Sequence, residues 1–295
     1  MIGVRKPSCI ALVFIGLAVF FTACSTVHET GRKQFSLISE SAVESMAAQG
    51  FEQLKNDTKI SHDPEKNAQL QRVGKRIVDA ARARGADLPP ANQWEFVVFE
   101  DEAVNAFAMP GGRVGFYTGI FPLFDNDDDL AVVMGHEIAH VSAKHGQERV
   151  SQQMAAQVAG LGLALGLGLS ETDNTTSQIA MAAFGAGASV GVLLPFSRSS
   201  ESEADHIGLI YSSAAGYDPR RSIVLWQRMA DQGGPRPPEF LSTHPSEHTR
   251  IRRLNQLIPQ VMPIYERTQN DFSDYSILGP VYPDHLYSFY RSQAN

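Results

Sequence analysis

His136, Glu137 and His140 stand in the order H-E-x-x-H within LAVVMGHEIAHVS, a stretch of strongly helical character. A helix brings residues four apart onto one face, so both imidazoles can grip one metal ion while Glu137 reaches toward a water beside it. Imidazole nitrogens suit zinc, and a catalytic zinc takes three protein ligands and keeps a fourth position open. Such an ion acidifies water and polarises a carbonyl, with a neighbouring carboxylate taking the proton. The chemistry on offer is metal-assisted hydrolysis, with Glu137 as the base. A further ligand is available in SRSSESEAD, residues 197–205. Glu201 and Asp205 are again four apart, which lets Glu201 bind metal while Asp205 hydrogen-bonds a ligand imidazole from behind. Glu203 is the rival third ligand, disfavoured because no acid follows it four residues on. His145, five residues past His140, falls off the metal-facing stripe, and neither His206 nor His248 is expected to bind metal.

These side chains need helices to carry them. Acids at Asp127, Asp128 and Asp129 suit the first turn of the helix that bears H-E-x-x-H. Apolar spacing predicts earlier helices over 38–54 and 63–84, the second stopped by Gly85. Residues 94–99 (WEFVVF) read as a strand. A hairpin-like pair over 106–109 and 113–117 flanks the turn Pro110-Gly111-Gly112. Helices are also expected over 197–215, 219–232 and 247–257, the middle one opened by Asp218-Pro219. The tail beyond Pro259 reads as aromatic and irregular. Two apolar, Gly/Ala-rich stretches at 158–169 and 179–194 are short for a bilayer span and diluted by glycine. They read as packed or surface-associated helices, with a membrane hairpin as the alternative. The fold class is α+β, predominantly helical, with a small sheet beside the H-E-x-x-H helix.

The chain of 295 residues is 43% hydrophobic and carries 25 Lys+Arg against 32 Asp+Glu, a net charge of -7. A chain this long can bury a core without disulfide staples. An acidic balance with no basic stripe argues against nucleic acid as a partner. Residues 1–23 have a short basic start and an apolar run suited to an export signal. The run ends in Phe21-Thr22-Ala23-Cys24, which resembles a bacterial lipobox, with Phe21 in place of the usual Leu. That resemblance implies acylation of Cys24, stable anchoring to a lipid membrane and, with Ser25 following, the periplasmic face of the outer membrane. Cys9 is the one other cysteine, so the chain beyond the signal holds no disulfide.

HEIAH, then SRSSESEAD about 60 residues later, then Ser242-Thr243-His244-Pro245-Ser246 with Arg250 resemble the gluzincin metallopeptidase family of HtpX, BepA, LoiP and the CAAX prenyl protease. The likeness extends from Thr30-Gly31-Arg32 to about Leu257, and the lipobox makes the LoiP-like periplasmic lipoproteins the most similar branch. It implies one Zn2+ per chain on His136, His140 and Glu201, with Glu137 as base and Asp205 behind the ligands. It implies that His244 caps the metal at rest or stabilises an oxyanion, and that Arg250 assists at the same wall. The family uses the strand corresponding to Asn105, Ala106, Phe107 and Ala108, on to Gly112, to hold an extended substrate. An exposed strand edge permits this, although Phe107 and Met109 read equally well as core.

The resulting plan is a lipoprotein signal over 1–23, an acylated tether over 24–36, a zinc metallopeptidase domain over 37–258 and a C-terminal tail over 259–295. The expected activity is hydrolysis of peptide bonds in misfolded or unassembled envelope proteins, with outer-membrane assembly machinery as a further partner. The alternative is a periplasmic chaperone or assembly factor whose metal site is capped or silent.

Overall fold

The computed structural model describes residues 24–166, 196–232, 239–244 and 250–270, with backbone only over 158–166. Residues 1–23, expected from the sequence to be an export signal, and residues 167–195 therefore lie outside the described residues, as do His248 and the tail beyond 270. In chain order the elements are β1 Cys24–Thr26, β2 Lys33–Phe35, α1 Glu40–Asp57, α2 Pro64–Ala83, β3 Glu95–Phe99, β4 Ala106–Met109 and β5 Arg113–Tyr117. Then come α3 Asp127–Ser142, α4 His145–Gly166, α5 Arg198–Ala214, α6 Arg221–Asp231, α7 Glu239–Thr243 and α8 Arg250–Asn270. The fold is α+β and mostly helical. Among the described residues no helix is long and apolar enough to cross a membrane.

Capping residues set the helix starts. Ser39, Asp63, Asn126 and Ser197 each accept from an amide in the first turn, and Pro64 follows Asp63 where its missing N–H costs nothing. The α2 residues Leu70, Val73, Ile77, Ala80 and Ala81 pack with Leu130, Met134 and Ile138 of α3 and Ile207 and Ile210 of α5 in the main core. A second cluster of Phe51, Phe99, Phe107, Met109 and Tyr117 fills the space between α1 and the sheet. That sheet has the order β3-β5-β4, with β3 parallel and β4 antiparallel to β5. Gly111 and Gly112 both adopt φ +81° in the turn joining β4 to β5, a region closed to most side chains.

The α3–α5 crossing positions the site. A Cβ added at Gly135 would lie 2.7 Å from the Gly208 carbonyl oxygen, and one at Gly208 would lie 2.7 Å from the His136 nitrogen. Only this absence of side chains lets the two backbones approach so closely. His136 and His140 on α3 are thereby brought against Glu201 and Asp205 on α5.

Two expectations change. Residues 24–36 do not form a loose tether: β1 and β2 pair as an antiparallel hairpin with Cys24 opposite Phe35. Val27, Glu29 and Thr30 are fully or nearly fully buried. Polar composition misleads here because the polar groups find partners inside. Tyr211 donates to Glu29, while Arg32 pairs with both Glu148 and Glu203. The chain also stays regular past Pro259, for α8 continues through Pro259 and Pro263 to Asn270. Leu257, Val261, Ile264 and Thr268 keep the helix packed, and tertiary burial outweighs the cost of the prolines.

Candidate metal centre

All of α3 from Asp129 to Ser142 is buried, so the H-E-x-x-H residues enter the interior. His136 Nε2 lies 3.1 Å from His140 Nε2, and the two face Glu201 at 3.4 Å and 3.3 Å. Among the described residues, donor atoms of His136, His140, Glu201 and His244 all lie within 4.8 Å of one another. Oε1 of Glu137, Oε1 of Glu201 and Nε2 of His244 are buried without a hydrogen-bond partner there. Buried lone pairs close together and unsatisfied are expensive unless a cation serves them. Ligand atoms around a tetrahedral zinc with bonds of 2.0–2.2 Å lie about 3.3–3.6 Å apart. The spacing here fits such an ion, so these residues could hold a metal.

Glu137 is held from the sheet: the Ala108 amide on edge strand β4 donates to its Oε2 at 2.9 Å. Its Oε1 faces His244 Nε2 at 3.3 Å. Burial pushes the Glu137 carboxyl up to about 8. Burial pulls His136 down, but the Glu201 and Asp205 carboxylates outweigh it and raise the imidazole to about 9. Glu201 lies well below its ordinary value despite its burial, because His244 and His136 face it. Burial holds His140 well below its own.

Asp205 Oδ1 lies 3.0 Å from His136 Nδ1, behind the ring. Arg250 lies behind the same cluster, on the two acids of α5. Its Nε and Nη2 grip Asp205 at 2.8 Å and 2.7 Å, Nη2 reaches Glu201 at 3.1 Å, and the guanidinium lies 3.6 Å from the Trp226 ring centroid. It acts on the carboxylates and holds them in place. Glu203 turns away from His136 and pairs with His145 and Arg32. Of the two candidates, Glu201 is the one that faces both imidazoles.

Phe107 and Met109 are core residues, 5% and 3% exposed, while their strand forms the sheet edge. Asn105 is buried and donates to Glu239. A small cleft of about 20 Å³ between α1 and β4, with room for roughly one water molecule, is lined by Val43, Pro89, Ala108, Pro110 and His140.

Helical spacing missed His145. The chain breaks after Ser142, passes through Lys144 at φ 54°, and restarts as α4 at His145. The break returns His145 to the site, with Nδ1 2.9 Å from His140 Nδ1. No glycine or asparagine marks that left-handed residue, so spacing along one continuous helix places His145 off the site. The aromatic walls were also unread: Phe196 stacks on His140 at 3.9 Å and Phe240 on His244 at 4.3 Å.

A family model described as peptidase family M48 matches residues 64–258. The mitochondrial metalloendopeptidase OMA1 of Schizosaccharomyces pombe is 33% identical over 255 residues, 85% of this chain and 71% of its own. That of Saccharomyces cerevisiae is 31% identical over 288 residues, 92% and 79% of the two chains. The beta-barrel assembly-enhancing protease of Escherichia coli is 28% identical over 256 residues, 86% of this chain and 51% of its own.

Proposed function

The chain belongs to peptidase family M48 and is a metalloendopeptidase, and from that premise we propose that it is a zinc enzyme with its centre on His136, His140 and Glu201. The observation that carries this reading is the convergence of those three donors beside a Glu137 carboxylate with one oxygen held and one free. When bound, zinc supplies Lewis-acid polarisation of a carbonyl and acidification of water. Glu137 takes the water proton on its free Oε1 and passes it to the leaving amine. The substrate runs as an extended strand along the edge of β4, over Asn105, Ala106, Phe107 and Ala108. Backbone pairing of that kind favours unfolded chains over a particular sequence. His244 covers the centre at rest, a part supported by its position against Glu137 and among the donors. Arg250 and Asp205 hold Glu201 and His136 in register.

The substrates are misfolded or unassembled envelope proteins, a reading supported by resemblance to a protease whose name refers to beta-barrel assembly. Cys24 is acylated and anchors the chain at the periplasmic face of the outer membrane, as the lipobox-like 21–24 segment suggests. With residues 24–36 docked, such an anchor would keep the catalytic domain close to the bilayer.

Metal content and casein cleavage, measured on the full chain and on Glu137→Gln, test the mechanism. One zinc per chain is expected in both, with cleavage reduced by about 10²–10⁴-fold or more in the variant. Equal cleavage by Glu137→Gln would remove Glu137 as base, and absence of metal from the wild type would remove the centre. Fractionation of Cys24→Ser tests the anchor, which fails if the variant stays with the membrane.

A further inference from the structure

The two imidazoles of α3 are both backed on the Nδ1 side, by different means. Behind His136 stands Asp205, gripped by Arg250. Behind His140 stands a second imidazole. His145 Nδ1 lies 2.9 Å from His140 Nδ1, and His145 Nε2 lies 2.9 Å from Glu203 Oε2. Glu203 accepts from Arg32 Nε at 2.6 Å and from the Thr30 hydroxyl, both on the N-terminal hairpin. Arg32 is itself fixed by a two-pronged pair with Glu148 at 3.0 Å and 2.8 Å.

The bond directions follow from what each group can do. An arginine only donates, so the Glu203 oxygen that it shares with His145 is an acceptor. A neutral His145 that gives its Nε2 proton to Glu203 accepts at Nδ1. His140 must then carry its own proton on Nδ1, leaving Nε2 bare. Nε2 is the atom that faces His136 and Glu201. Glu203 and Thr30 are fully buried and His145 is 1% exposed, so water has no easy route to replace a missing link.

We propose that the N-terminal hairpin is a working part of the metal centre, with Thr30 and Arg32 setting the orientation and tautomer of His140 through Glu203 and His145. This rests on His140 being a metal ligand, as proposed above. A buried ion pair is often replaceable by apolar residues at no cost in stability, so direction is what this one contributes. Positioning groups of this kind raise ligand basicity and fix ring orientation. The hairpin lies more than a hundred residues from His140 in the chain, and Thr30 is six residues from Cys24.

The test uses the full chain in detergent micelles, with zinc affinity from chelator competition and the visible spectrum of the cobalt(II)-loaded protein. Glu203→Gln and His145→Phe should weaken zinc by about 10–100-fold and shift the cobalt bands. Thr30→Val should weaken it by about tenfold, near the loss of one hydrogen bond to a charged group, and Thr30→Ser should restore it. The Thr30 pair keeps the proposal testable if the larger changes prevent folding. Folded Thr30→Val and Glu203→Gln proteins with wild-type affinity and an unchanged cobalt spectrum would overturn it, even with a lower melting temperature. Wild-type zinc affinity in His140→Ala would instead overturn the ligand reading beneath it.

Discussion

The amide of Ala108 donates to Oε2 of Glu137 at 2.9 Å, joining the edge of the sheet to the carboxylate of the H-E-x-x-H helix. That amide points away from β5, the strand's partner, so a proline at 108 would cost no ladder bond and suits an edge position. Ala108→Pro should fold with a melting temperature near wild type and lose about 10–100-fold in kcat, the scale of one hydrogen bond to a charged group. The acidic limb of its pH profile should move upward, because the bond that opposes burial at Glu137 is gone. Full activity with an unshifted profile would show that the amide does nothing for Glu137.

The Gly135–Gly208 contact leaves no room for a methyl group. Gly135→Ala would bring a Cβ to 2.7 Å from backbone, which cannot step aside as a side chain could. Overpacking of this kind costs roughly 1–3 kcal/mol. Urea unfolding should show that loss, and zinc stoichiometry should fall as α3 and α5 separate. A variant as stable and as metal-loaded as wild type would mean that the crossing is looser than described.

Protons should compete with metal for the centre. In the metal-free protein His136 is raised to about 9, so at pH 7 it holds a proton that zinc must displace. Calorimetry in buffers of different ionisation enthalpy should show proton release on zinc binding at that pH, with a share from Glu137 beside that of His136, and affinity should climb as the pH rises from 6 to 8. The sign is set by the raised value: below it the proton wins, and above it the competition vanishes. Metal binding without proton release would contradict the His136 assignment.

Arg250 neutralises two buried acids, Asp205 and Glu201. Arg250→Met leaves both uncompensated and should cost about 3–5 kcal/mol in the metal-free protein. Added zinc should recover part of that loss, since it brings positive charge to Glu201. Arg250→Lys should rescue poorly, because a lysine cannot reproduce the two-point grip on Asp205. Chemical denaturation with and without zinc measures both effects, and a stable Arg250→Met protein would sink the account.

The helices and strands around the centre were legible because their signals are local. The Asp63-Pro64 cap, the 3.6-residue spacing through Leu70 and Ile77, and Pro110-Gly111-Gly112 between two short strands each act within a few residues. The four-residue spacing in His136/His140 and in Glu201/Asp205 is equally local, so each pair could be read onto one helical face. The 24–36 hairpin and the continuation of α8 were not legible, because partners distant in the chain decide both.

The amino-acid sequence by itself determined the residue types of the centre and the helices that carry them, since periodicity and capping are properties of neighbours along the chain. Only the tertiary structure decided which acid faces the imidazoles. Glu201 and Glu203 are two residues apart and so on different sides of α5, and it takes the Gly135–Gly208 crossing to turn Glu201 inward. It also decided what Glu203 and His145 are for. A left-handed Lys144 and a hairpin from the far end of the chain meet behind His140, and no spacing rule along one helix can anticipate two segments brought together by packing.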